Sequence, residues 1–375
     1  MPRRGENIFK RQDGRWEARY IHHYENGKAK YRYLYGTTYG EVKQKRLAEQ
    51  VQVIPEKSPG PRRGGDIGRL ACEWLRDVKI SVKESTYARY CMIVNNYIIP
   101  HLGAVPLSKL DPQAVNLFSE KLLKNGGSGG HPLSSKSVCD ILCVLKSVHR
   151  FGKCNGFGAQ SLDGLRYPQR SGRQIEIFSA NDGVLLETAL LRSEDATSLG
   201  ILFALFTGVR IGELCGLKWE DIDFSDCTVR ICRTVERISD TDPLAERKTK
   251  LIVSEPKTHS SARVIPLPKF LPEHLLKYRG PDNTYLLTGN TDFVEPHCFY
   301  TRYKSFLRKH HIGDHTFHSL RHTFATRCVE HGFDTKSLSE ILGHSNVTTT
   351  LMFYVHPSLV QKRKQMELLT PTMQT

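Results

Sequence analysis

Three short segments in the second half of the chain carry side chains suited to work on a phosphodiester. In the first, Thr207-Gly208-Val209-Arg210-Ile211-Gly212-Glu213-Leu214, a buried apolar run ends at Gly208 and an arginine opens the next helical turn. A guanidinium placed there can grip two non-bridging phosphate oxygens at once. Taken alone, the same residues read as a surface arginine paired with Glu213. The second, His318-Ser319-Leu320-Arg321-His322-Thr323-Phe324-Ala325-Thr326, places a titratable ring and a cation three residues apart, hence on one helical face, with Leu320, Phe324 and Ala325 supplying an apolar side. His315, His318 and His322 alone read as ordinary helix histidines or as a metal cluster, although metal sites usually add carboxylate or thiolate ligands. The third, Leu342-Gly343-His344-Ser345-Asn346-Val347, continues through three threonines to Leu351, Met352, Phe353 and Tyr354. Gly343 stops a helix, Asn346 or a threonine caps the next, and Tyr354 lies two turns in. A lone tyrosine in such company is ordinarily a core residue.

The elements that must position these groups follow from periodicity. Beyond about Ser171, Ser179-Ala180-Asn181-Asp182 starts a helix, Leu199–Phe206 is a buried helix, and Cys227–Val235 pairs with Ala262–Leu267 as strands; the rest is helical to the end, with a short helix over Val360–Leu369. From Ile67 to about Gly156, apolar residues recur at spacings of three and four, as in Leu70, Trp74, Leu75 and Val78, which predicts a helical bundle. There Pro100 and Gly103 end one helix, Asp111-Pro112 starts another, and Gly126–Gly130 forms a flexible loop before a Ser134/Ser135 cap. Residues 53–66 mix proline, glycine and charge without periodicity and form a linker. Upstream, 12 Lys/Arg and 6 Asp/Glu within residues 1–50 interleave with aromatic residues. Turn dipeptides at Asp13-Gly14 and Asn26-Gly27 delimit three antiparallel strands, Ile8–Arg11, Trp16–His22 and Lys30–Tyr35, followed by a helix over Tyr39–Gln50.

The bulk properties set the partner class. With 375 residues, 39% apolar and 25% charged, the chain is long enough for two or three folded domains. No apolar run approaches the roughly 20 residues that span a bilayer; the longest is Gly200–Phe206. Lys+Arg 54 against Asp+Glu 39 leaves +15, which favours a polyanion by counterion release. The N-terminal sheet is therefore read as a DNA-groove module, with Arg15, Trp16, Lys28, Lys30 and Arg32 as DNA-binding candidates, joined by Arg89 and Lys136 from the bundle. The polar start, MPRRGENIF, lacks the apolar stretch of a secretory signal, so a cytoplasmic location is expected. Ten cysteines without a C-x-x-C pair read as reduced core thiols.

Jointly, the Arg210 box, the His318-x-x-Arg321 box, the Leu-Gly-His element at His344 and Tyr354 shortly after it resemble, in order and separation, the signature of the tyrosine recombinase (phage integrase) family. Glu255-Pro256-Lys257-Thr258 through Arg263-Val264-Ile265-Pro266-Leu267 resembles that family's lysine-bearing β-turn; Lys248 and Lys250 are nearby alternatives to Lys257. The resemblance covers roughly residues 67–375, and the N-terminal module is similar to the arm-type DNA-binding domains of conjugative-transposon integrases. It implies a mainly α multidomain chain: an arm-binding β-sheet-plus-helix module over residues 1–52, a linker, a helical core-binding domain over 67–170, and a mixed α/β, mostly helical catalytic domain over 171–375. It implies too that Tyr354 attacks a DNA phosphate to form a 3′-phosphotyrosyl link, a retained high-energy bond that removes any need for ATP. Arg210, Arg321 and His344 would hold the phosphoryl charge, Lys257 would protonate the leaving 5′-oxygen, His318 would assist at the tyrosine, and Glu213 would orient Arg210 or support the fold. No cofactor or metal is implied. The implied partners are double-stranded DNA, a homotetramer assembled on it and accessory proteins setting direction or bending DNA, with no membrane and a bacterial cytoplasmic setting. The alternatives are a type IB topoisomerase, which religates the same strand, and a non-catalytic DNA-binding protein on this scaffold; a metal-dependent transposase or nuclease would need grouped carboxylates that the motifs lack.

Overall fold

The computed structural model describes residues 8–25, 28–43, 45, 65–158, 160–169, 176–242, 245–254, 262–344, 346–354, 363, 366 and 367. The chain divides into two compact units, Met1–Arg63 and Gly64–Thr375.

In the first unit, β1 (Ile8–Lys10), β2 (Trp16–Glu25) and β3 (Lys28–Gly36) form an antiparallel sheet in the order β1-β2-β3. The β1–β2 turn closes at Gly14, whose φ of 85° an L side chain would resist. The Asn26-Gly27 turn lies outside the described residues. Ile8, opposite Ala18, and Val42 from the helical segment after β3 make a small core with Trp16 and Leu34. Tyr31, Tyr33 and Tyr35 stay exposed on the alternate positions of β3. β2 and β3 run longer than their aromatic-basic alternation predicts, to Glu25 and from Lys28, while β1 stops one residue short of the expected Arg11.

The second unit holds two apolar cores. The first belongs to the helical bundle of α1 (Ile67–Val78), α2 (Glu84–Ile93), α3 (Pro112–Asn125) and α4 (Ser135–Cys154). Asp111 caps α3 by accepting from the Ala114 N–H at 2.7 Å, and Ser134 caps α4 through the Ser137 N–H at 3.1 Å. Pro100 does not end its helix, which stops at Gly103 as expected: α2 continues through a π turn, Val94–Ile98, into Ile99–Leu102. The stretch Gly126–Gly130 is not an open loop but a tight turn, closed by the Gly127 N–H donating to the His131 carbonyl at 2.7 Å.

The second core gathers around α6 (Ala196–Thr207), buried on nearly every face and capped by Asp195. It is preceded by α5 (Ala180–Arg192), which Ser179 caps as its sequence predicts, and followed by the short α7 (Ile211–Cys215). The sheet differs from its sequence reading. Cys227–Val235 is not one strand: β4 (Ile222–Asp223), β5 (Thr228–Ile231) and β8 (Arg263–Pro266) form one sheet, while β6 (Thr234–Ser239) pairs with β7 (Thr249–Ser254) in another. The break falls at Cys232 and Arg233, where Arg233 leaves the ladder to donate to Asp221 at 2.6 Å and to the Gly216 carbonyl at 3.3 Å. After α8 (Phe270–Leu276), four helices close the unit: α9 (Pro296–Lys309), α10 (Phe317–Glu330), α11 (Thr335–Leu342) and α12 (Val347–Tyr354). Of the expected helix Val360–Leu369, only residues 363, 366 and 367 are described. The ten cysteines are free, but only Cys139, Cys215 and Cys328 are buried; Cys72, Cys143, Cys154 and Cys298 are exposed, because each falls on the polar side of its helix. No helix among the described residues is long and apolar enough to cross a membrane.

Candidate active site

The centre of the site is a buried cation. Arg321, on the second turn of α10, is only 2% exposed. Its guanidinium donates to the Gly208 carbonyl at 2.7 Å and to the Leu342 carbonyl at 2.6 Å. Those two carbonyls terminate α6 and α11, where the helix dipoles leave partial negative charge that offsets the cost of burying the cation. Both helices end on a left-handed glycine, Gly208 at φ 66° and Gly343 at φ 64°. A Cβ on Gly208 would come within 2.5 Å of the Phe324 ring, so the sharp exit that brings Arg210 beside Arg321 requires glycine there.

Arg210 is the N-cap residue of α7. Its backbone N–H donates to Glu213 Oε2 at 2.9 Å and its guanidinium to Glu213 Oε1 at 2.8 Å. Glu213 is 4% exposed and is gripped from the other side by Arg263, a residue to which the sequence reading gave no role, at 3.1 Å and 3.0 Å. Burial would raise the Glu213 carboxyl, but the Arg263 hydrogen bonds and charge, with those of Arg210, outweigh it and bring the group down to about 2. Arg263 has a legible signal in hindsight: in β8 the burial alternates, and Arg263 shares the inward side with Ile265. Replacing Glu213 with alanine leaves Arg263 buried without this counter-charge and is expected to destabilise the protein by about 3–5 kcal/mol, read from the urea unfolding midpoint; an unmoved midpoint contradicts the packing described here.

Two imidazoles complete the cluster. His318 packs edge-on against His322, ring centroids 4.5 Å apart, and His344 Nδ1 lies 2.9 Å from the Thr350 hydroxyl. Thr350 is fully buried in α12, so this bond ties His344 to the helix that ends in Tyr354. Burial, then the charges of His322, Arg321 and Arg210, push His318 down to about 4. His344 is likewise brought to about 4 by burial and by Arg321, Arg210, Arg263 and His318. Both rings are thus neutral at pH 7. An unfolded histidine takes its proton near 6.5, the folded pair only near 4. Their contribution to stability is therefore complete above about pH 6.5 and declines as pH falls from 6.5 towards 4. Thermal melts across that window should show the decline, shallower in His318→Gln; an equal slope in both proteins would contradict the assignment.

The structure brings Arg210, His318, Arg321 and His344 together, with Glu213 behind Arg210. Tyr354 ends α12, with its backbone helical; its side chain lies outside the described placements, and Lys257 lies outside the described residues altogether. His315 goes elsewhere, 3.2 Å from Asp182 and stacked on Phe178. Among the described residues no three His, Cys, Asp or Glu side chains are grouped as metal ligands. Of the DNA-binding candidates, Arg15 is exposed and paired with Asp13 at 2.9 Å, Arg32 is exposed, and Lys136 is exposed on the first turn of α4. Trp16 is half-buried against Tyr39, and Arg89 is held by Asp140 at 2.5 Å. Lys28 and Lys30 lie on β3, with side chains outside the described placements.

What such a cluster can do is set by its charge. Two guanidiniums and two neutral imidazoles converge, and the carboxylate beside them, Glu213, is engaged by Arg210 and Arg263. The site is built to receive an anion and to stabilise charge that grows on it.

Residues 185–359 match the model of the phage integrase family, and residues 68–123 match that of the phage integrase N-terminal SAM-like domain. The two matches together cover well over half of the chain. A curated relative, a tyrosine recombinase XerC-like protein of Caldanaerobacter subterraneus subsp. tengcongensis, is 29% identical over 373 residues, covering 92% of this chain and 93% of its own. Among solved structures, the Tn1549 transposon integrase in complex with a circular intermediate DNA superposes with a TM-score of 0.62 at 22% identity, over 81% of this chain and 99% of that one. A lambda integrase tetramer bound to a Holliday junction superposes with a TM-score of 0.55 at 16% identity, over 91% and 96% of the two chains. At these identities the structural likenesses are of fold.

Proposed function

Because the chain belongs to the phage integrase family of tyrosine recombinases, we propose that it is a site-specific DNA recombinase of a mobile element. It breaks and rejoins DNA through a covalent tyrosyl intermediate. The observation that carries the reading is the convergence of Arg210, Arg321, His318 and His344 on one face, from three segments up to 134 residues apart in the chain. In the proposed reaction the Tyr354 hydroxyl attacks the scissile phosphorus, the bond to the 5′-oxygen breaks, and a 3′-phosphotyrosyl link remains. A 5′-hydroxyl from the partner strand later reverses the step, so the phosphodiester energy is conserved.

Arg210 and Arg321 meet the negative charge that grows on the non-bridging oxygens, and His344 donates a hydrogen bond to it. His318 accepts or relays the tyrosine proton, a role that its neutral state at pH 7 suits. Lys257 delivers a proton to the leaving 5′-oxygen. A bound phosphate beside His344 raises that imidazole from its depressed value, so docking of DNA itself primes it as a donor.

The proposed organisation is an arm-type DNA-binding module over residues 1–52, a linker over 53–66, a core-binding helical domain over 67–170 and a catalytic domain over 171–375. Arg15, Trp16, Lys28, Lys30, Arg32, Arg89 and Lys136 contact the duplex. Arg89 reaches it by exchanging Asp140 for a phosphate, a small cost because an exposed ion pair is worth about 0–1 kcal/mol. Four protomers assemble on two DNA sites and exchange strands through a four-way junction, in a bacterial cytoplasm, with accessory proteins setting direction.

The test is a nicked substrate made from the ends of the encoding element, incubated with the protein in EDTA and resolved on a denaturing gel. A covalent protein–DNA band, whose protease digest yields a phosphotyrosyl peptide containing Tyr354, is expected. Specific binding without any such band would leave a non-catalytic DNA-binding protein as the better reading.

A further inference from the structure

We propose that Arg263 is a positioning residue for the phosphoryl-charge site, holding Arg210 through Glu213 and the turn before His344 through the Ile341 carbonyl. The inference rests on the recombinase reading above. Three observations carry it. Arg263 forks both Glu213 oxygens, and each of those oxygens also accepts from Arg210, one from its backbone N–H and one from its guanidinium. The plane of the carboxylate, and hence the pose of Arg210, is fixed from behind. Arg263 Nε also donates to Ile341 at 2.6 Å. Gly343 lies flat against the same side chain, where a Cβ would come within 3.1 Å of Cδ and Nη1. The residue that follows Gly343 is His344. Finally, Arg263 opens β8, six residues after Lys257, and its pairing with Ile231 pins that strand.

One planar side chain therefore joins β8 to the two segments that carry Arg210 and His344. Only a guanidinium has the fixed fork of donors to do so; a lysine ammonium on its flexible stem cannot hold two carboxylate oxygens and a carbonyl in one plane. Stability alone gives little reason for such a triad, because a buried ion pair is often no better than an apolar pair of the same volume. Geometry is what the triad adds. Arg210, with a side chain 40% exposed, is held by Glu213 at 2.8 Å, while its approach to the Gly343 carbonyl is a long 3.5 Å.

The experiment replaces the buried pair with apolar residues, Arg263→Met with Glu213→Met, in the full chain. The expected protein melts cooperatively and binds its DNA as the wild type does, but forms the covalent adduct about 100-fold more slowly in single turnover, the scale of an ångström-level misplacement. A merely structural pair predicts a folded protein cleaving at the wild-type rate. The distinguishing measurement uses DNA with a methylphosphonate at the scissile position, which removes the negative charge that Arg210 must meet. On that substrate the gap between variant and wild type should close, and a gap of unchanged size overturns the proposal. Arg263→Lys, which keeps the charge but not the fork, should behave in the same way; its wild-type rate overturns the proposal even if the double variant does not fold. A wild-type chain that forms no adduct overturns the recombinase reading and this inference with it, whereas a wild-type adduct formed equally fast by the double variant overturns this inference alone.

Discussion

Tyr354→Phe should bind its DNA site with unchanged affinity and form no covalent adduct. The hydroxyl is the only atom removed, from the residue that ends the eight-residue helix α12, and Thr350 ties that helix to His344. Deleting the nucleophile of a covalent mechanism typically costs about 10⁶-fold in rate, which puts the adduct below detection on any gel. Restoration of cleavage by mixing Tyr354→Phe with Arg210→Lys protomers would show that one subunit donates its tyrosine to another's site; cleavage by each protomer within its own site, as we propose, expects no restoration. An adduct persisting in Tyr354→Phe alone would move the nucleophile to another residue.

Arg321→Ala should fail twice over. It strands the Gly208 and Leu342 carbonyls in a site closed to water, each at about 1–3 kcal/mol, and removes a preorganised donor, which costs about 10²–10³-fold in rate. The two effects separate in Arg321→Lys. An ammonium can still satisfy one of the two helix ends, so most of the stability returns, but it cannot hold both ends and a phosphate oxygen in one plane. Equilibrium unfolding and single-turnover cleavage, measured on both variants, should therefore disagree: Arg321→Lys close to wild type in the first and far below it in the second. Wild-type cleavage by Arg321→Lys would reduce Arg321 to a structural role.

The groups proposed to do chemistry were more legible in the sequence than the groups that hold them. Arg210, His318, Arg321 and His344 stand in compact motifs, each announced by a helix end or a helical spacing, and local pattern is what sequence displays. Arg263 was far less legible for the opposite reason, marked only by its sharing one side of β8 with Ile265. Its burial is caused by Glu213, 50 residues away, and by Ile341, 78 residues away, so in its own segment it is merely one more charged residue in a strand. The division of Cys227–Val235 into β5 and β6 was lost in the same way, since Arg233 is drawn off the ladder by Asp221 rather than by any turn dipeptide. The β6–β7 pairing lacked the apolar alternation by which strands are recognised, since Val235 and Ile238 stand three apart and Leu251, Ile252 and Val253 run together. Helix starts fared better: Asp111, Ser134 and Ser179 each cap the helix that their sequence announces, because an N-cap is decided within four residues.

The clamp of Arg321 on two helix ends also makes the enzyme safe to carry. A protein that severs chromosomes by a reversible ester is most dangerous when it is half assembled, able to cut but not to reseal. Here the group that would draw electrons from the phosphate is the same one that keeps α6 and α11 docked. On the proposed mechanism, a fluctuation that frees either helix would withdraw that group as well, so damage to the scaffold would end cleavage rather than leave it uncontrolled.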